Sequence, residues 1–102
     1  MTRGDVYDVA LPGGARPAVI VTRARAIPYL KNVSVAAVTT TVRDLPTEVS
    51  IGPDQGLARE CVANCDNLFT IPKRSLGRRR GALGPAEVAR LDNALRIALG
   101  LD

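Results

Sequence analysis

Several residue types are scarce or missing in this sequence. It has no histidine and no tryptophan, and only two cysteines. Because histidine and cysteine supply most zinc ligands, the composition argues against a zinc site, and we expect neither a metal nor a cofactor. If Cys61 and Cys65 lie on one strand, their Cα atoms are about 13 Å apart, beyond the roughly 7 Å that a disulfide spans. We therefore expect two buried thiols on the same face.

Long apolar segments are also missing. No apolar run approaches the roughly 18 residues that a transmembrane helix needs, and the first residues lack the apolar stretch of a signal peptide. A cytoplasmic protein without membrane contact is therefore expected. Arg3-Gly4-Asp5 spells a cell-adhesion tripeptide, but without a secretion signal that interpretation carries almost no weight.

The length of the chain limits the number of domains, and its charge indicates the kind of partner. A chain of 102 residues predicts one domain, residues 1–102, with one modest core, so an oligomer is plausible. The net charge is +4 and the sequence pI is about 9.7. This charge suits a polyanion or an acidic protein partner, and it equally suits a solvated basic surface.

Apolar and alternating segments predict a series of strands followed by one helix. The predicted strands cover residues 6–11, 17–22, 33–41 and 45–51, with one or two more within 60–71. Gly13-Gly14 marks a tight turn, and residues 23–32 are expected to form a loop. Residues 72–76 could form a single helical turn. Strands followed by a helix predict a small, mainly antiparallel sheet or barrel with a helix packed on it.

The C-terminal helix is the clearest predicted element. Pro85 suits its first turn, and Gly100 suits its end. Between them, apolar residues recur at helical spacing and predict one buried stripe. The residues of that stripe are Val88, Leu91, Leu95 and Ala98 or Leu99.

Strand counting brings an arginine and a threonine together. If the strands on either side of the 23–32 loop pair as antiparallel neighbours, Thr22 lies near Val33 and Arg16 lies near Thr39. The glycine turn and the neighbouring hydroxyls of Thr40 and Thr41 belong to the same end of the sheet. A guanidinium, hydroxyls and a glycine-rich backbone suit a phosphate. The alternative is a solvated hairpin arginine beside ordinary strand threonines.

Six segments, in order along the chain, resemble the MazF/PemK (Kid-like) family of type II toxin–antitoxin toxins. They are Arg3-Gly4-Asp5-Val6-Tyr7, Arg16-Pro17-Ala18-Val19-Ile20-Val21, Val35-Ala36-Ala37-Val38-Thr39-Thr40, Leu45-Pro46-Thr47-Glu48-Val49, Asp66-Asn67-Leu68-Phe69-Thr70-Ile71 and residues 91–101. The resemblance covers nearly the whole chain. It implies the SH3-like barrel that MazF, PemK and CcdB share, usually as a homodimer with RNA bound across the dimer groove.

The resemblance also implies an activity and a partner. The activity is sequence-specific cleavage of single-stranded RNA, independent of the ribosome and of metal, in which the ribose 2′-OH attacks its phosphate. The products would be a 2′,3′-cyclic phosphate and a 5′-OH end. The partner is an acidic, MazE-like antitoxin. The catalytic positions of the family match Arg16 and Thr39.

Further residues are candidates for binding RNA, and for each of the charged ones a solvated side chain is an equally good interpretation. They are Gly13, Gly14, Arg23, Arg25, Tyr29, Thr40, Thr41 and Asn67. Lys31 and the run Arg78-Arg79-Arg80 are candidate backbone contacts, and the arginine run could instead meet an acidic antitoxin segment. The sequence departs from the family in a shortened first loop, in Asn67 and in Phe69, so it does not predict the RNA motif.

Two other functions stay open at this point. A toxin of the same fold could act by binding a protein such as DNA gyrase. A non-catalytic SH3-like module could bind RNA or protein and leave RNA intact. Cleavage of RNA by the purified protein separates both from a ribonuclease.

Overall fold

Six strands and one helix make up the regular structure of residues 1–101, the part of the chain that the computed structural model describes. They are β1 (Asp5–Leu11), β2 (Gly14–Ile20), β3 (Asn32–Thr39), β4 (Glu48–Ile51), β5 (Cys61–Pro72), β6 (Leu76–Ala82) and α1 (Pro85–Leu99). Single 3₁₀ turns lie at Ile27–Tyr29, Pro53–Gln55 and Lys73–Ser75. The last of these is the helical turn expected within residues 72–76.

The strands form one antiparallel sheet in the order β4-β5-β3-β2-β1-β6. The sheet curves into a half-barrel with the single helix at its C-terminal end. Both of its faces pack against a core cluster, because the second half of β2 and most of β3 are apolar on both sides. One core cluster includes Leu91 and Ala94 of α1, and the other includes Ile27 of the 23–32 loop. The predicted fold class is confirmed.

The helix begins and ends where the sequence predicts, and its buried stripe is confirmed. The Glu87 side chain accepts the N–H of Gly84 at 2.8 Å, and Gly100 ends the helix with φ +67°. Leu91 is fully buried, and Val88, Leu95 and Ala98 pack against the same core cluster, to which Ala94 also belongs. Of the two alternatives at the end of the stripe, Ala98 is the one that packs on the core, because Leu99 is 56% exposed. Within residues 1–101, no helix is long and apolar enough to cross a membrane.

Both cysteines lie in the core of β5 as free thiols, as predicted. Cys61 and Cys65 belong to the same core cluster. Burial is the main cause that raises the pKa of the Cys65 thiol to about 11, and the neighbouring Asp66 carboxylate adds to it. The pKa of Cys61 is raised for the same first reason.

Several predicted strand ends are wrong because side chains replace strand hydrogen bonds there. β2 ends at Ile20 rather than Thr22, and the hydroxyl of Thr22 accepts the N–H of Ser34 at 2.7 Å. β3 ends at Thr39 rather than at residue 41. β4 starts at Glu48 rather than at residue 45, because the Glu48 carboxylate accepts the backbone N–H groups of the preceding turn.

Strand β6 was not predicted from the sequence. It is rich in arginine and glycine and has no alternating apolar pattern. Antiparallel backbone pairing with β1 holds it. Two ion pairs to β1 add to this pairing: Arg79 pairs with Asp5 at 3.3 Å, and Arg80 pairs with Asp8 at 3.2 Å. The arginine run is therefore part of the sheet rather than a free segment before the helix.

The Arg3-Gly4-Asp5 tripeptide has a structural role. The Arg3 side chain donates to the carbonyl of Val21 at 3.0 Å and pairs with Asp92 of α1 at 2.5 Å. Asp5 is only 3% exposed. These contacts tie the N-terminus to the sheet and to the helix.

Candidate active site

The pairing of β2 with β3 brings Arg16 opposite Thr39. The observed partners are Ala18 with Ala37, Val19 with Ala36 and Ile20 with Val35. This is the predicted register, which is confirmed over these pairs. Continued toward the start of β2, it sets Arg16 across from Thr39. Both side chains line one cavity.

The turn before β2 positions the guanidinium of Arg16. Leu11 pairs with Gly14, so the turn residues are Pro12 and Gly13 rather than the two glycines. Proline followed by a residue with positive φ is the pattern of a type II turn, and Gly13 has φ +92°. A Cβ on Gly13 would lie 3.4 Å from Nη2 of Arg16. The Arg16 head group therefore lies in van der Waals reach of the turn, and the positive φ at its centre is what favours glycine at position 13.

The cavity has a volume of about 390 Å³, and each of its lining residues is polar or charged. Its lining residues are Arg16, Thr39, Thr41, Arg43, Glu48, Asn64, Asp66 and Asn67. Across residues 1–101, the ion pairs found are those of Arg3, Arg79, Arg80 and Arg90, so Arg16 is not engaged in one. Its fork of donors is open to an anion in the cavity.

The Thr39 hydroxyl is oriented by the chain that follows β3. Its oxygen accepts the N–H of Thr41 at 3.1 Å. A hydroxyl carries one proton to donate besides its acceptor lone pairs. Because the oxygen accepts from the backbone, the Thr39 proton remains available for an oxygen atom bound in the cavity.

A bulge in β5 adds a carboxylate that the sequence reasoning missed. Ala36 of β3 pairs with Leu68, whereas the next residue, Ala37, pairs with Asn64, so three residues of β5 loop out between them. One of them is Asp66, whose Oδ2 accepts the Thr47 hydroxyl at 2.6 Å. Bulges occur often beside active sites because they redirect side chains. No glycine marks this one in the sequence.

A second missed carboxylate belongs to Glu48 at the start of β4. Its oxygens accept the N–H groups of Arg43 at 3.1 Å and Leu45 at 3.2 Å. The turn that it organises contains Asp44 in the left-handed region, with φ 56°. The sequence could have pointed to this residue, since Glu48 lies in a segment that resembles the family, but the sequence analysis assigned no role to it.

The charges of the cavity balance. Its two arginines, Arg16 and Arg43, face the carboxylates of Glu48 and Asp66. The Glu48 carboxylate is already used by backbone donors. The cavity can therefore orient a phosphate and offer it hydrogen bonds, but net positive charge for binding a polyanion has to come from neighbouring surfaces.

The other predicted RNA-binding residues fall into two groups. Thr41 and Asn67 line the cavity, Gly13 and Gly14 form its hairpin, and Thr40 lines an adjacent cavity. Arg23, Arg25 and Tyr29 lie beyond the other end of β2. The length of that strand separates them from Arg16 by roughly 20 Å. Within one chain they cannot contact the same nucleotide as Arg16, and their role in binding RNA stays a prediction.

Among residues 1–101, no three or more Cys, Asp or Glu side chains lie together so as to hold a metal ion. Of the two carboxylates in the cavity, Glu48 accepts backbone N–H groups and Asp66 accepts the Thr47 hydroxyl.

The chain is similar to known proteins over most of its length. Residues 2–99 match the family model described as PemK-like, MazF-like toxin of type II toxin–antitoxin system. Endoribonuclease MazF3 of Mycobacterium tuberculosis is 46% identical over 88 residues, which are 86% of this chain and 85% of that protein.

Solved structures of similar proteins have the same fold. The Mycobacterium tuberculosis toxin MazF-mt6 has a TM-score of 0.90 at 42% identity, with 96% of this chain and 98% of that chain covered. A mycobacterial endoribonuclease in complex with its cognate antitoxin also has a TM-score of 0.90, at 36% identity, with 100% and 97% covered.

Proposed function

Because the chain belongs to the PemK-like, MazF-like toxin family of type II toxin–antitoxin systems, we propose that it is an endoribonuclease toxin that cleaves single-stranded RNA at a short sequence. The observation that carries the proposal is the pair of Arg16 and Thr39 in one polar cavity at the end of β2 and β3. Its site of action is the cytoplasm, where RNA and an antitoxin are both made.

The proposed reaction is attack of the ribose 2′-OH on the adjacent phosphorus. The 5′ oxygen of the next nucleotide leaves, and the products are a 2′,3′-cyclic phosphate and a 5′-OH end. Arg16 stabilises the charge that develops on the phosphate oxygens and on the leaving oxygen. Thr39 donates its hydroxyl proton to a non-bridging oxygen. The requirement for a 2′-OH explains selectivity for RNA over DNA.

The proton of the 2′-OH needs an acceptor, and Asp66 is the side chain placed for it. Arginine, with a pKa above about 12, is a poor base near neutral pH. The Asp66 carboxylate lines the cavity, and only its Oδ2 accepts a hydrogen bond from the residues described, that of Thr47. Its other oxygen can accept the 2′-OH proton, while water protonates the leaving oxygen.

The proposed assembly is a homodimer that an acidic, MazE-like antitoxin inhibits. A small chain gains stability from association, and its charge of +4 favours an acidic partner. The similar mycobacterial endoribonuclease forms a complex with its cognate antitoxin. In a dimer, Arg23, Arg25 and Tyr29 of one subunit could contact RNA that is held by Arg16 of the other.

The experiment is incubation of purified protein with mixed-sequence single-stranded RNA in EDTA, beside an Arg16→Ala control. The cut sites and the end groups are read by sequencing and by end-specific enzymes. Discrete cuts with 2′,3′-cyclic phosphate and 5′-OH ends, absent with Arg16→Ala, are expected. Cuts that appear only when a divalent metal is added would contradict the metal-independent mechanism and leave the ribonuclease in place.

The alternatives give different results in the same experiment. A toxin that binds a protein such as DNA gyrase leaves every RNA intact, and so does a non-catalytic SH3-like module. The two are then separated by binding, because the module retains RNA whereas the protein-binding toxin does not. The polar cavity and its unpaired arginine favour the ribonuclease over both.

A further inference from the structure

A second cavity adjoins the proposed active site. It has a volume of about 200 Å³ and shares Thr39 with the first cavity. Arg16 and Pro17 are successive residues of β2, so their side chains leave opposite faces of the strand. The two cavities therefore lie on either side of the end of β2, with Thr39 at the rim common to both.

The second cavity differs from the first in its chemistry. Its walls are mostly apolar, and its only charged residues are two arginines. The lining consists of Pro17, Val38, Thr39, Thr40, Leu57, Ala58, Arg59, Cys61 and Arg80. No carboxylate lines it, whereas the first cavity has two. Arg80 pairs with Asp8, whereas Arg59 is in none of the ion pairs of residues 1–101, so one uncompensated positive charge lies directly beside the reaction cavity.

Close backbone packing holds this cavity in shape. A Cβ on Gly56 would lie 1.9 Å from the carbonyl oxygen of Arg80, and one on Gly81 would lie 2.3 Å from the carbonyl oxygen of Gln55. Only glycine allows this approach, which fixes the segment 57–59 against β6. Arg80 is further held by its ion pair with Asp8. The walls are therefore formed before any ligand arrives.

We propose that this cavity binds one unstacked RNA base, from a nucleotide that flanks the cut, and thereby selects the sequence at that position. The inference rests on the proposed ribonuclease function. Sequence-specific RNA recognition generally stacks unstacked bases on aromatic side chains or on guanidinium planes, and this cavity offers the second kind. The volume is below the roughly 300–1,000 Å³ of sites for drug-sized ligands, which fits a single base rather than a whole nucleotide. Arg59 and Arg80 supply guanidinium planes, and Arg59 also supplies charge for the adjoining phosphate.

The test fills the cavity without touching the reaction residues. Ala58 is exposed and lines the cavity, so Ala58→Leu occupies the space of the base and leaves the core intact. Ala89→Leu is the matched control, because Ala89 is an exposed alanine on α1. Both variants cleave a randomised RNA pool, and the base frequencies around each cut are compared with those of the wild-type protein. Thermal unfolding verifies that both variants fold.

Ala58→Leu is expected to lower the base preference at one flanking position by about tenfold, the scale of a stacked base. Cutting itself should continue, and Ala89→Leu should keep the wild-type profile. An unchanged profile with Ala58→Leu would overturn the inference, although the ribonuclease would stand.

A second measurement does not depend on cleavage. Binding of 2′-O-methylated RNA, which lacks the attacking hydroxyl, is titrated with the same two variants and with Arg59→Gln beside Arg74→Gln. We expect Ala58→Leu and Arg59→Gln to bind about tenfold more weakly than their controls. If the wild-type protein binds but does not cut RNA, the ribonuclease proposal fails. The binding comparison still shows in that case whether the second cavity binds a base. Equal binding by variant and control, or no binding at all, overturns the base site.

Discussion

The two ends of strand β2 carry similar side chains in different settings. At its start, Arg16 is half-buried beside Gly13, and its partner Thr39 is held by a backbone hydrogen bond. Beyond its other end, Arg23 and Arg25 are exposed on a loop, and Tyr29 is 87% exposed. Catalysis depends on groups that are already in position when the substrate binds. We therefore propose that the first end carries out the chemistry and that the second end contributes affinity for RNA.

The sharpest test of this comparison removes one arginine from each end. Arg16→Ala should slow RNA cleavage by about 10²–10³, the usual cost of losing one preorganised donor, and Arg23→Ala should leave the cleavage rate of bound RNA nearly unchanged. Single-turnover rates at saturating protein measure the difference. Similar losses in both variants would show that the two ends do not differ in the way proposed.

A second test asks whether the first end works through its rigid hairpin. Gly13→Ala puts a side chain where φ is +92°, so the turn that carries Arg16 is strained and cleavage should slow by about tenfold as the arginine loses its position. Gly100→Ala is the matched control, because its φ of +67° imposes similar strain with nothing within 4 Å of the new Cβ. It should lower the melting temperature without slowing cleavage of bound RNA. Equal rates for the two variants would mean that the hairpin does not position Arg16.

A third test concerns the exposed end. Arg23→Gln and Arg25→Gln should each weaken RNA binding a few-fold and reduce the slope of log K against log salt by about one. The reason is that each arginine would neutralise one phosphate without reading a base. Arg74→Gln, an exposed arginine outside both sites, is the control. If the slopes are unchanged, Arg23 and Arg25 do not contact phosphates and are solvated surface charges.

The smallest effect concerns the thiol of Cys65, which is buried in the core cluster below β5. The pKa of Cys65 is raised from 9.0 to about 11, chiefly by burial. The unfolded chain therefore loses this proton at lower pH than the folded protein does. The free energy of unfolding should be unaffected by this group below pH 9 and should fall as pH rises toward 11. Urea unfolding as a function of pH measures this free energy. The Cys65→Ala variant should show a weaker fall between pH 9 and 11 than the wild-type protein. An identical fall in the two proteins would mean that the core does not raise the pKa of the thiol.

The fold and the reacting pair follow from the sequence for definite physical reasons. Apolar strands of known spacing fix the register, and one count across the 23–32 loop is enough to set Arg16 opposite Thr39. The bulge that brings Asp66 into the cavity could not be predicted, because it arises from tertiary pairing and no glycine marks it. Strand β6 was missed for a related reason, since backbone pairing with β1 and ion pairs to Asp5 and Asp8 hold it, and it has no alternating apolar pattern.

The central claim is that Arg16 and Thr39 act on one phosphate as a unit. A double-mutant cycle with Arg16→Ala, Thr39→Val and the double variant, read as single-turnover cleavage rates, tests it most directly. Residues that act together are strongly non-additive, so the double variant should be little slower than the slower single variant. If the two losses instead multiply in full, the residues act independently, and the account of a shared phosphate site is contradicted.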